Sequence, residues 1–123
     1  MKKTILIVED DQFMQTILKK KLISDGFKIL EAFNGLQGLR IAIEKTPDLI
    51  LLDIIMPKTD GLLMLEELKE SEKAKNIPVI ILTNTGDNKK IDKAIQLDAI
   101  RYLIKDSSIL NNVSSMVKEE LNL

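Results

Sequence analysis

The chain contains no cysteine and no histidine. Without cysteine there is no disulfide framework and no thiolate metal site. Without histidine the usual general base, a common zinc ligand and a phosphohistidine carrier are all removed. Chemistry then falls to carboxylates, Lys, Thr, Ser and the single Tyr. Charge of one sign is also missing: 18 Lys and Arg meet 19 Asp and Glu, for a formal net charge of -1. That balance gives no global field to attract nucleic acid. No apolar run approaches the length of a membrane span. The opening "MKKTILIVED" is broken by acids too early for a signal peptide. The five glycines form no G-x-x-x-x-G-K-[ST] loop, which argues against a nucleotide-binding domain. What remains is the expectation of one soluble, cytoplasmic domain of 123 residues, with no membrane or direct nucleic-acid partner.

Strand and helix patterns alternate along the chain. "TILIVE" (4–9), "FKILEAF" (27–33), "DLILLD" (48–53), "IPVIILT" (77–83) and "IRYLIK" (100–105) read as strands, mostly apolar as expected for strands covered on both faces. Between them lie helical patterns. In the first, Phe13, Met14, Ile17, Leu18 and Leu22 recur at helical spacing, with Lys19 to Lys21 largely opposite and Gly26 as a stop signal. Asn34 is a plausible cap for the second helix, which stops before Pro47, and Ser107 or Ser108 for the last. Five βα units predict an α/β fold: a doubly wound, five-stranded parallel sheet with five helices. Right-handed crossovers put all strand C-terminal ends along one edge. With strand order 2-1-3-4-5, the first and third strands meet at the switch point, where such sheets bind ligands.

Four of those ends carry a ligating or reactive group. Glu9 and Asp10 follow the first strand, Asp53 ends the third, Thr83 the fourth and Lys105 the fifth. The second, ending in Ala32 and Phe33, carries nothing comparable. Carboxylates gathered in one pocket resist common ionisation, and a hard divalent cation relieves them. Oxygen donors alone suit Mg²⁺, Mn²⁺ or Ca²⁺ rather than zinc. Lys105 adds a fixed positive charge and Thr83 a hydroxyl, a set suited to stabilising a phosphoryl group on an Asp oxygen. Taken singly, each residue has a plainer reading. "EDD" before a helix is a common cap, a terminal Asp is a common turn residue, and Asp11 is read as a first-turn helix residue. It is the coincidence at four ends of one sheet that points to a site.

The set "VEDD", "LILLDIIMPKTDGL", "PVIILT" and "YLIK" resembles the receiver domain of two-component response regulators, a chemotaxis-type, flavodoxin-like three-layer sandwich. The resemblance spans residues 1–123 and leaves no segment for an output domain. It implies that Asp53 accepts a phosphoryl group from a phosphohistidine on a sensor histidine kinase or histidine phosphotransfer protein. It implies Mg²⁺, with Mn²⁺ as a substitute, bound by Asp10 and Asp53, by Glu9 through water and by the backbone carbonyl of Ile55. Lys105 and Thr83 would contact phosphoryl oxygens, and Tyr102 would be the aromatic whose rotamer reports the modification. Pro57 and Gly61 would shape the loop after the third strand. A downstream protein, and a second copy of the chain, would be partners of the phosphorylated form. The implied role is a signalling phospho-acceptor, at most catalysing its own phosphorylation and dephosphorylation, not a turnover enzyme.

Four positions depart from the pattern. Asp106 follows Lys105 where the family usually has Pro after a cis bond. A cis bond before Asp costs about 3–4 kcal/mol, so a trans bond and a shifted loop are expected. Asn84 is larger than the small residue usual there, Asp98 stands where Gly is common, and Ile55 is apolar where many relatives are polar. Two other classes compete. A phosphatase of the haloacid dehalogenase kind needs an Asp two residues after the nucleophile, where this chain has Ile55, and room for a cap. A binding-only docking module would bind its partner equally with and without a phosphoryl mimic.

Overall fold

In this computed structural model, residues 2–56, 61–84 and 88–123 are described. The elements run β1 (Thr4–Val8), α1 (Gln12–Ser24), β2 (Lys28–Ala32), α2 (Gly35–Lys45), β3 (Leu49–Asp53), α3 (Gly61–Glu70), β4 (Val79–Thr83), α4 (Asn88–Gln96), β5 (Arg101–Ile104) and α5 (Ile109–Glu120). The sheet is parallel throughout, in the order β2-β1-β3-β4-β5. This is the doubly wound, flavodoxin-like arrangement expected from the alternating pattern.

The strand period of two divides the core. Leu6, Val8, Ile50, Leu52, Val79 and Ile81 face a cluster with Ala42, Leu65, Leu68 and Ala94 of α2, α3 and α4. Ile5, Ile7, Leu49, Leu51, Ile80 and Leu82 face the other way, onto Leu18, Leu22, Val113 and Val117 of α1 and α5. Both faces are covered, so β1, β3 and β4 read as continuous apolar runs. Truncating one of these fully buried side chains to Ala costs about 2–5 kcal/mol. Among the described residues, no helix is long and apolar enough to cross a membrane.

Several local expectations are corrected. Phe13 does not join the buried stripe of α1; it is 71% exposed. The stripe is Gln15, Leu18 and Leu22, with Met14 and Ile17 only partly buried. Lys19 is not simply solvated opposite them, since it pairs with Glu31 of β2. Glu9 and Lys105 lie just past their strands rather than in them. Asn34 caps α2 as expected, accepting from Gln37 N at 2.8 Å. Ser108 occupies the cap of α5 but makes no capping bond with its side chain. Asp106, two residues earlier, holds the cap residue in place, accepting from Ser108 N at 2.9 Å and Ser108 Oγ at 2.6 Å. The described chain has no cis peptide, so the bond before Asp106 is trans. Asp98 has φ 67°, a left-handed conformation that Asp tolerates better than most residues.

Candidate functional site

Glu9 and Asp53 are delivered by the two central strands. β1 and β3 pair with Val8 opposite Leu52, so the residues that follow arrive side by side. Gly61 lets α3 press onto that point: a Cβ there would lie 2.4 Å from Asp53 O and 2.6 Å from the Ile54 Cα. Asp53 is 2% exposed and Glu9 is fully buried, while Asp10 is exposed. One carboxylate oxygen from each of the three lies within 4.8 Å of the others.

Lys105, at the end of β5, reaches across to these acids. Its Nζ lies 2.8 Å from Asp53 Oδ2 and 2.6 Å from Glu9 Oε1. The other Asp53 oxygen, Oδ1, accepts from Ile55 N at 2.9 Å. Both oxygens of Asp53 are therefore held, which fixes the plane of the carboxylate. Glu9 Oε2 accepts from Asp11 N at 3.2 Å, but Oε1 is buried without an aligned hydrogen-bond donor. Burial, and then the neighbouring Asp53 carboxylate, push the Glu9 carboxyl up to about 8, although Lys105 pulls the other way. For Lys105, burial opposes the charged ammonium; hydrogen bonds to Asp53 and Glu9 outweigh it and hold the group above the ordinary lysine range.

A divalent cation fits this donor set. The donors are carboxylate oxygens, two of them buried, and the Lys105 ammonium alone does not balance the three acids. With no pair more than 4.8 Å apart, the three oxygens are close enough to surround one small ion. Ile55, half-buried against the α2–α3 side of the core, adds a backbone group at the same strand end.

Among the remaining anticipated residues, Thr83 follows Leu82, the cross-strand partner of Asp53, and makes no described contact with the acids. Thr83 is fully buried at the end of β4, and its hydroxyl donates to Asn84 O at 3.1 Å. Tyr102 on β5 is 46% exposed and borders a groove of about 380 Å³ between β5 and α5. Asn84 is exposed next to Thr83. Pro57 and Asp60 lie outside the described residues. Gln15 escaped the sequence reading. Its signal was the i, i+3, i+7 spacing it shares with Leu18 and Leu22, which places a polar residue on the buried stripe.

Fold and site together define a flavodoxin-like α/β domain with an acidic pocket at its switch point. The chain belongs to the response regulator receiver domain family, whose model matches residues 5–116. It is thus a receiver domain of two-component signalling. It is 34% identical over 123 residues to sporulation initiation phosphotransferase F of Bacillus subtilis strain 168, covering 100% of this chain and 97% of that one. Among solved structures, it is similar to the receiver domain of sensor histidine kinase PA1611 from Pseudomonas aeruginosa PAO1. That match has 25% identity, TM-score 0.89 and full coverage of both chains, and a magnesium ion is coordinated in that protein's active site cleft. A CheY-like receiver domain protein from Methanospirillum hungatei JF-1 shares the fold at TM-score 0.91, with 24% identity, covering 99% of this chain and 95% of that one. Some relatives are longer. The chain spans 42% of the transcriptional regulator RpaA of Synechocystis and 48% of the probable regulator ycf29 of Porphyra purpurea.

Proposed function

We propose that Asp53 accepts a phosphoryl group from a phosphohistidine on a sensor histidine kinase or histidine phosphotransfer protein, and that the modification changes the surface offered to a downstream protein. The observation that carries this reading is the Asp53 carboxylate, held between Lys105 and the Ile55 amide beside two further acids. Asp53 supplies an oxygen that bonds to phosphorus as the phosphorus–nitrogen bond of the donor breaks. The imidazole nitrogen leaves with the electron pair. Asp10, Asp53, the Ile55 carbonyl and Glu9, the last through water, would hold Mg²⁺ or Mn²⁺. When bound, such an ion neutralises charge on the phosphoryl oxygens.

Lys105 keeps its charge throughout and has one carboxylate oxygen to release toward the phosphoryl group. Thr83 turns its hydroxyl from the Asn84 carbonyl to that group. A phosphoryl group adds about two negative charges and three acceptors, enough to attract a nearby hydroxyl. The space Thr83 vacates admits Tyr102 from its half-exposed position, and the β4–β5 surface changes with it. Such a switch needs two packings only a few kcal/mol apart, biased by the phosphate.

The test is intact-mass measurement after incubation with Mg²⁺ and a phosphoramidate donor. The expected result is a gain of one phosphoryl group, labile to hydroxylamine, absent without Mg²⁺ and absent in Asp53→Ala. No labelling from this donor or from any histidine kinase sinks the proposal.

A further inference from the structure

Gln15 is fully buried on the face of α1 turned toward the sheet. Its Nε2 lies 2.9 Å from Ala32 O, 3.1 Å from Ile7 O and 3.3 Å from Glu9 O. A side-chain amide has two N–H donors, so three carbonyls share them. Turned over, the amide would set its own oxygen against three carbonyl oxygens, and this fixes which way it points. The acceptors come from the end of β1, the first residue beyond it and the end of β2. Glu9 N also donates to Ala32 O, at 3.0 Å. The Glu9 residue is therefore gripped at its amide by β2 and at its carbonyl by Gln15. Asp10 is the next residue along, so its place depends on the same grip.

We infer that Gln15 is a positioning residue for the divalent-cation site. It sets the Glu9–Asp10 turn through the backbone and touches neither carboxylate in any described contact. This inference rests on the reading of the acidic cluster as a Mg²⁺ site. Mg²⁺ demands near-ideal octahedral geometry, while Ca²⁺ accepts six to eight oxygens in a flexible arrangement. Loosening the turn therefore weakens Mg²⁺ binding more than Ca²⁺ binding. A residue that merely fills space has no such preference between ions.

The test is calorimetric titration with Mg²⁺ and, separately, with Ca²⁺, below the unfolding temperature of every variant. Gln15→Met keeps the length and removes the donors. Gln15→Asn keeps the amide but withdraws it from its acceptors. Leu22→Ala, at the far end of α1, supplies a loss of stability without a change near the turn. Met and Asn are expected to weaken Mg²⁺ by about 10-fold, the low end for groups that orient metal ligands. Ca²⁺ should fall by a smaller factor, and Leu22→Ala should lower Tm alone. If Gln15→Met is too unstable to titrate, Gln15→Asn reads the same quantity. Unchanged Mg²⁺ affinity, or equal losses for both ions, overturns the inference while leaving the Mg²⁺ site in place. An unsubstituted chain that binds neither ion overturns both.

Discussion

The two halves of the site are built differently. On the β1–β3 half, Glu9 and Asp53 are buried, both Asp53 oxygens are engaged, and Gln15 secures the turn beneath. On the β4–β5 half, the Thr83 hydroxyl bonds only a neighbouring carbonyl in its described contacts, and Tyr102 stands half out of the protein beside a groove. The helices follow the same division. α3 buries Gly61, Leu62, Met64, Leu65 and Leu68, whereas α4 buries Ala94 alone among its residues. Packed cores resist small displacements, and sparsely buried elements move at lower free-energy cost. A phospho-acceptor benefits from both properties: a fixed half for chemistry and an adjustable half that reports it.

The comparison is broken most severely at Lys105, which spans the halves. Lys105→Met leaves Glu9 and Asp53 without their cation. The initial rate of phosphoryl labelling should fall by about 100-fold or more, the scale for removing a preorganised charge from such a site. A fall of less than a few-fold would show that Lys105 serves the folded structure and not the transfer.

Gly61→Ala attacks the fixed half through packing. Its new Cβ meets the Asp53 and Ile54 backbone at distances no real contact tolerates, so α3 or the acid must shift. A loss of about 1–3 kcal/mol in denaturant unfolding is expected, together with slower labelling. The same substitution with normal labelling would mean that the position of Asp53 is not set by α3.

The pH dependence sharpens the contrast further. The Glu9 carboxyl lies at about 8 in the folded chain against an ordinary value of 4.5. The folded state therefore holds a proton that the unfolded state gives up. Without Mg²⁺, the contribution of Glu9 to stability is full below about pH 4.5 and is lost as pH rises through about 8. Mg²⁺ competes with that proton. Its affinity should rise between pH 6 and 8, with proton release visible in calorimetry across buffers, and Glu9→Gln should flatten the rise. Tyr102→Ala, on the adjustable half, should have the smallest effect on the domain itself. Stability should change by about 0.5 kcal/mol or less and labelling should stay normal. What it should remove is the difference in partner affinity between the two phosphorylation states.

Much of the fixed half was legible in the sequence. "LILLD" and "VIILT" are buried on both faces, so their composition alone marked central strands, and the order of the βα units placed Glu9, Asp10 and Asp53 together. Gln15 was hidden because polarity normally signals solvent. Here three carbonyls, from β1, β2 and the residue just past β1, accept from its amide N–H groups, and that meeting depends on how the strands pair. Phe13 misled for the opposite reason: hydrophobicity in the first turn of α1 looked like core, yet that side chain is exposed. At α5 the sequence offered two serines as caps; Ser108 holds that position, but its hydroxyl is drawn to Asp106 instead of a helix amide. The misses at Gln15 and Phe13 share a cause, since each depends on tertiary placement, whereas the one at α5 is a local competition for a hydroxyl.

The division between a fixed and an adjustable half is tested most directly by amide NMR, with Mg²⁺ added first and beryllofluoride, a phosphoryl mimic, second. The predicted result is that Mg²⁺ shifts signals around Glu9, Asp10 and Asp53. The mimic should then move Thr83, Asn84, Tyr102 and Leu103 strongly and leave Leu6, Ile7 and Leu30 nearly still. Shifts confined to the acids, with Tyr102 unmoved, would contradict it.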